Sequence, residues 1–103
     1  MDDIASRVLT ALTTWQGSFY ALTKSDLCGL VGCSERELRA AVGTLRRNGH
    51  LVVVAPGGGY RLAESIEEVD GFISAMRERI AALQTVVEAM ESSAAQAFGR
   101  GRE

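Results

Sequence analysis

The chain has 103 residues, of which 47% are hydrophobic and 23% charged, with a formal net charge of −2 at pH 7. This length and this ordinary composition predict one small globular domain, with or without an extended arm, and the net charge argues mildly against a nucleic-acid-binding protein. No apolar run approaches the roughly 18 residues of a membrane span, and the acidic start MDDIASR gives no sign of a secretory signal peptide, so we expect a cytoplasmic protein without membrane contact.

Two short helices are predicted before residue 33. In the first, apolar residues recur at helical spacing, which indicates one buried face: Ile4, Val8, Ala11, Leu12 and Trp15. Residues 19–21 (FYA) could form a very short strand. Thr23 and Asp26 approximate a capping box at the start of a second helix, which carries Leu27, Leu30 and Val31 and is broken by Gly32.

Residues 34–48 predict an amphipathic helix with one basic face. Ser34 and Glu37 form a capping box, and Asn48-Gly49 ends the helix. At about 100° per residue, the apolar residues share one arc. The opposite arc holds Arg36, Arg39, Gly43, Arg46 and Arg47. Residues 34–61 contain five arginines and two glutamates, so a locally basic segment lies in an acidic chain.

A short β-hairpin is predicted next. Residues 51–54 (LVVV) are typical of a strand, residues 56–59 (PGGG) of a turn, and residues 60–62 (YRL) of the returning strand. Tyr60 is expected to pack beneath the hairpin. The glycine run lacks the lysine and the following helix of a phosphate-binding loop, which excludes a nucleotide site of that kind.

A long helix of about 30 residues is predicted from Ile66, preceded by a capping box of Ser65 and Glu68. Its apolar residues form a sustained heptad pattern that predicts a two-stranded coiled coil and hence a homodimer. The seam positions are Ile66, Val69, Ile73, Met76, Ile80, Leu83, Val87 and Met90. Phe72 and Val86 widen this stripe and could rest on the N-terminal domain or on the first helix of a partner. The stripe could instead pack back on its own domain.

The chain has few residues that could bind a metal, undergo redox chemistry or catalyse a reaction. Cys28 and Cys33 are the only cysteines and His50 is the only histidine, too few ligands for a structural zinc site. We expect two reduced, mostly buried thiols. A disulfide between them is conceivable but has no secretory context to support it. We predict no cofactor and no enzymatic activity, because nothing in the chain assembles a catalytic site.

The segment RELRAAVGTLRRNG, a short apolar strand and then GGGYRLAES resemble the winged helix-turn-helix superfamily over roughly residues 20–63. The hairpin looks like the biotin-repressor type, and the C-terminal helix is similar in layout to that of the PadR-like regulators. The resemblance implies a mainly α fold with a small β-hairpin (α+β). It divides the chain into a DNA-binding domain (1–64), a dimerisation helix (65–98) and a disordered tail (99–103).

By this resemblance, helix 34–48 enters the major groove of double-stranded DNA, and the wing, residues 51–62, meets the flanking backbone or minor groove. Arg36 and Arg39 are expected to reach base edges, and Gly43 to leave the helix surface bare for close approach. The remaining contacts, mainly with phosphates, are expected from Lys24, Ser25, Ser34, Arg46, Arg47, Gly58 and Arg61.

The sequence therefore predicts a homodimeric transcription regulator that reads a palindromic or pseudo-palindromic DNA site. One alternative is a phage or mobile-element accessory protein for DNA replication or packaging, which would need the same contacts. The other is a winged-helix module that binds a protein partner and not DNA, which the acidic net charge favours.

Overall fold

The computed structural model describes residues 3–16, 22–55 and 57–99. The elements in this part of the chain are α1 (Asp3–Thr14), α2 (Lys24–Val31), α3 (Glu35–Arg47), β1 (Val52–Val54), β2 (Tyr60–Leu62) and α4 (Ile66–Phe98). The predicted fold class, mainly α with a small β-hairpin and a long C-terminal helix, is confirmed. The strand predicted at residues 19–21 and the tail from residue 100 lie outside the described residues.

The chain divides into two compact units, Met1–Asp70 and Gly71–Glu103, and the division falls inside α4. In the first unit, α1 packs against both α2 and α3. The core between them contains side chains that are almost completely buried, and burying a side chain of this size stabilises a fold by roughly 1.5–3 kcal/mol. The largest are Val8, Leu12, Leu27, Leu38, Val42, Leu45 and Val52.

Local hydrogen bonds fix both ends of α2. At the start, the Asp26 backbone N–H donates to Thr23 Oγ1 (3.0 Å) and the Thr23 N–H donates to the Asp26 carboxylate (3.2 Å), so the predicted capping box is present. At the end, Gly32 adopts the left-handed conformation (φ 78°) that glycine allows without a steric penalty. The turn that leads to α3 is therefore short and well defined.

The hairpin is antiparallel, with Val52 opposite Leu62 and Val54 opposite Tyr60. Leu22 adds a bridge on the far side of β2, where the Tyr60 N–H donates to the Leu22 carbonyl (3.2 Å). Gly59 permits this approach, because a Cβ there would overlap the Leu22 carbonyl oxygen and lie 3.2 Å from the Thr23 Cα. Tyr60 is buried beneath the hairpin, as predicted.

Trp15 is not a core residue, contrary to the prediction. It is 45% exposed because α1 ends at Thr14 and Trp15 lies in the turn that follows, so the helical spacing no longer places it on the buried face. Leu30 of α2 is also exposed, so the apolar face of α2 is buried only at Leu27 and Val31. Trp15 and Leu30 line a shallow groove of about 420 Å³ along α1 and α2.

In the second unit, α4 continues to Phe98 as one uninterrupted helix of 33 residues in all. From residue 71 to residue 99 the side chains are exposed or half-buried in the single chain, including large apolar ones such as Ile80 and Met90. No helix in the described part of the chain is both long enough and apolar enough to cross a lipid bilayer.

Candidate nucleic-acid interface

The start of α3 is fixed by the predicted capping box. The Glu37 N–H donates to Ser34 Oγ (3.1 Å), and the Ser34 N–H donates to the Glu37 carboxylate (3.0 Å). The Ser34 N–H is thus occupied, and a negative charge already sits at the end of the helix where a phosphate would bind. Ser34 is thus the predicted helix cap, and its predicted contact with a phosphate remains a prediction.

The body of α3 is amphipathic, as its periodicity predicts. Leu38, Ala41, Val42 and Leu45 are buried, whereas the arginines at 36, 39 and 47 are exposed. Arg39 lies 3.7 Å from the Glu35 carboxylate, and the two side chains are 67% and 63% exposed. An ion pair this exposed contributes little free energy, so Arg39 can leave Glu35 for a stronger anion.

The Arg46 side chain is half-buried and does not lie on the exposed face of α3 that the helical angles predict for it. Its Nε donates to the Val52 carbonyl (2.9 Å), and its guanidinium carbon lies 5.8 Å from the centre of the Tyr60 ring. Burial lowers the pKa of the Arg46 guanidinium, with an opposing contribution from Tyr60. Arg46 therefore joins α3 to the hairpin, and its predicted phosphate contact remains a prediction.

Gly43 is not bare, contrary to the prediction. Arg47 folds back along α3, where its Nη2 donates to Thr44 Oγ1 (3.3 Å) and its Nη1 lies 3.3 Å from the position that a Cβ at residue 43 would occupy. The middle of the basic face is thus covered by the mobile end of an exposed side chain. A ligand that approaches Gly43 closely has to displace the Arg47 guanidinium.

Arg61 is paired within the fold. Its guanidinium contacts the Glu68 carboxylate, which also accepts the Glu64 N–H (2.8 Å). The Glu64 hydrogen bond, followed by the contacts with Arg61, lowers the pKa of Glu68 against an opposing effect of burial. Arg61 thus ties β2 to the first turn of α4, and its predicted role on DNA remains a prediction.

The capping box predicted at Ser65 is half formed. The Glu68 N–H donates to Ser65 Oγ (3.2 Å), but the Glu68 carboxylate binds the Glu64 N–H in place of the Ser65 N–H. The return bond of the motif is thus shifted by one residue. Glu68 thereby serves both the start of α4 and the hairpin.

The other predicted contact residues keep accessible surface. Ser25 is exposed and Lys24 half-buried in the first turn of α2, and Gly58 is exposed at the hairpin turn with a φ of 97°. The Gly58 N–H already donates to the Ala55 carbonyl (2.9 Å), so it stabilises the hairpin turn.

Three arginines of α3 share one exposed surface. We call this surface, formed by Arg36, Arg39 and Arg47, the α3 basic face.

The predicted seam of α4 lies at the surface of the single chain. Val69 is half-buried, and the other seam residues, Ile66, Ile73, Met76, Ile80, Leu83, Val87 and Met90, are exposed. Their heptad spacing puts them on one stripe that winds slowly around α4.

Two residues that position these elements were missed from the sequence. Arg7 on α1 donates through Nε to the Val31 carbonyl (3.1 Å) and so secures the end of α2. Gly59 allows the close approach of β2 to Leu22. Neither has a local signal, since each acts on a segment far away in the chain.

Comparison with known proteins adds nothing to this geometry, since no family model, curated protein or solved structure matches the chain. Within the described residues, no three His, Cys, Asp or Glu side chains group to hold a metal ion. The candidate site is thus the α3 basic face, together with the start of α2 and the hairpin turn.

Proposed function

We propose that this chain binds double-stranded DNA as a homodimer and acts as a transcription regulator. In this proposal α3 is the recognition helix in the major groove, and the hairpin is a wing on the flanking backbone or minor groove. The observation that carries it is the α3 basic face, which lies opposite a fully buried apolar face on a helix preceded by a tight turn.

The three arginines of this face differ in their expected contacts. Arg36 and Arg39 lie in the first turns of α3, the part of a recognition helix that usually reaches base edges. An arginine that binds guanine O6 and N7 through two hydrogen bonds contributes about 1–3 kcal/mol of discrimination. Arg47 lies at the C-terminal end, where a phosphate contact is expected to add affinity without selecting sequence.

The exposed seam of α4 supports the homodimer. In a single chain seven of the eight seam side chains are exposed and Val69 is half-buried, and pairing with a second copy would bury them. A two-fold dimer presents two recognition helices to half-sites about one turn of DNA apart, roughly 34 Å. This geometry favours a palindromic or pseudo-palindromic target.

The proposal is tested with single substitutions and fluorescence anisotropy on labelled duplexes. Arg36→Ala is expected to weaken binding and to relax sequence preference, whereas Arg47→Ala should weaken all sequences alike and lower the salt slope by about one per protomer, or about two for the dimer. Arg77→Ala removes the same charge from α4 and is the matched control, with dimer mass verified. If both α3 variants bind like the parent protein, α3 is not the recognition helix.

A protein-binding module is the second candidate, and the net charge of −2 favours it. In that case the α3 basic face would meet an acidic protein partner. DNA binding at low salt separates the two functions. A DNA-binding protein should lose affinity for DNA when Arg36 and Arg39 are replaced by alanine, whereas a protein-binding module should not bind DNA before or after the change.

A further inference from the structure

Cys28 and Cys33 meet at the end of α2. The left-handed Gly32 folds the chain back, so that the Cys33 N–H donates to the Cys28 carbonyl (3.2 Å) and the Gly32 N–H donates to the same oxygen (2.8 Å). At helix ends of this kind, the residue after the glycine often packs its side chain on the residue five positions before it, which is the fourth from the end of α2. In this chain both of those positions are cysteines.

The two thiols are close enough to influence each other. Burial raises the pKa of Cys33, followed by the charge and the hydrogen bond of the Cys28 thiol and the charge of Glu37, against an opposing effect of Arg7. Both cysteines are half-buried free thiols, packed against the edge of the core. They are therefore shielded in part, but not sealed in the interior.

We propose that Cys28 and Cys33 form a modification site, a dithiol that small disulfide oxidants such as oxidised glutathione convert into an intramolecular disulfide. The contact across Gly32 carries this proposal, and it does not depend on DNA binding. In a reducing cytoplasm the pair stays reduced, and it is oxidised when the glutathione pool becomes oxidising.

The reaction consists of two thiol–disulfide exchanges. One protein thiolate attacks a sulfur of oxidised glutathione, which forms a mixed disulfide and releases one glutathione thiolate. The second protein thiolate attacks the protein sulfur of that mixed disulfide and displaces the second glutathione. The protein loses two protons and two electrons, and the oxidant becomes two glutathione thiols.

The raised pKa of Cys33 predicts how the rate depends on pH. Cys33 stays mainly protonated at neutral pH, so its attack is slow and becomes faster as the pH rises towards its pKa. Below the pKa the thiolate fraction rises about tenfold per pH unit, so attack by Cys33 should be more than about 20-fold faster at pH 8.5 than at pH 7.

The disulfide would constrain the turn that leads into α3. The closed loop, residues 28–33, ends immediately before Ser34, the N-cap of α3. The backbones of the two cysteines are already hydrogen-bonded, so the two residues lie side by side at the end of α2. Oxidation is therefore expected to raise the melting temperature, by roughly 5–15 °C for a short closed loop in a domain this small.

The experiment uses the purified full chain, incubated with oxidised glutathione under native conditions, quenched in acid and then alkylated. Intact mass spectrometry should show a monomeric chain lacking two hydrogens, with neither glutathione nor alkyl label. Thermal unfolding should show the higher melting temperature, reversed by dithiothreitol. Cys28→Ser and Cys33→Ser, each with one thiol left, should stop at a glutathione adduct.

The wild-type chain alone decides the outcome, so a variant that fails to fold does not obscure it. Two alkylated cysteines after oxidation would overturn the proposal and reduce the pair to an apolar contact at a helix end. A persistent glutathione adduct or a disulfide between chains would also overturn it. Since none of these measurements involves DNA, failure here leaves the proposed DNA binding untouched.

Discussion

Adjacent arginines at the end of α3 have different surroundings. Arg46 donates to the Val52 carbonyl and lies over Tyr60, whereas Arg47 is exposed and donates to Thr44 of its own helix. We expect Arg46→Ala to lower the free energy of unfolding by about 1–3 kcal/mol, through the lost hydrogen bond and ring contact. Arg47→Ala should change it by less than about 0.5 kcal/mol.

Urea unfolding followed by circular dichroism measures both free energies of unfolding. When folded protein is compared, we expect Arg47→Ala to lose more DNA affinity than Arg46→Ala, which is the reverse of their order in stability. Equal stability losses at the two positions would contradict the structural role of Arg46.

Gly59 and Gly43 make a second matched pair. A Cβ at residue 59 would overlap the Leu22 backbone, whereas one at residue 43 would meet only the end of the Arg47 side chain. We expect Gly59→Ala to destabilise the fold by about 1–3 kcal/mol, because backbone has to move. Gly43→Ala, in a helix interior, should be neutral or stabilising by up to about 1 kcal/mol. Thermal unfolding of both variants checks this, and a Gly59→Ala protein as stable as the parent would refute the close approach.

The surroundings of Arg46 and Gly59 could not be predicted from the sequence. Helical angles put Arg46 and Arg47 on the same arc, because a periodicity records only the helix that carries them. The side chain of Arg46 turns away because the hairpin folds against α3, and that contact is not written in the spacing of α3. Gly59 was likewise attributed to turn conformation, since the approach of Leu22 joins distant parts of the chain.

At the scale of elements, the predictions that held rest on local chemistry. The starts of α2 and α3 follow from capping boxes, and the end of α3 at Asn48-Gly49 from the left-handed glycine (φ 95°). The hairpin strands follow from β-branched residues around a glycine turn. The partner of Arg61 could not be predicted, because the Glu68 carboxylate departs from its expected role in the Ser65 box.

The link between the hairpin and α4 should depend on pH. The pKa of Glu68 is lowered in the folded chain, so its stabilising contribution is present above the unfolded pKa of about 4.3 and is lost as the pH falls through the folded value. We expect Glu68→Gln to cost about 1 kcal/mol at pH 7 and progressively less below pH 4. Urea unfolding at several pH values, with the exposed Glu67→Gln as control, measures this. A cost that stays constant down to pH 2 would exclude an ionic contribution.

At the scale of the whole molecule, the α4 seam carries the expectation of a homodimer. Ile80→Asp with Leu83→Asp puts two charges in the middle of the exposed seam and is expected to give a monomer, because charge at the core of a coiled coil opposes pairing. Thr85→Asp with Ser92→Asp adds the same charges on the outer face and should leave the mass unchanged. Sedimentation equilibrium gives both masses. A parent chain that sediments as a monomer would contradict the predicted homodimer.

The net charge of the whole chain is a poor guide to its proposed partner. The acidic residues are concentrated in the segment from Glu64 onward, whereas the α3 basic face is locally positive, and phosphates respond to the local field. Composition alone would therefore disfavour the function that the arrangement of α3 supports.

The most direct test of the central claim is anisotropy of the parent protein on mixed-sequence duplex DNA at two salt concentrations, with the oligomeric mass measured in parallel. DNA binding through arginines releases counterions, so we predict binding by a dimer that weakens steeply as salt rises. An intact dimer with no affinity for duplex DNA at low salt would contradict the account.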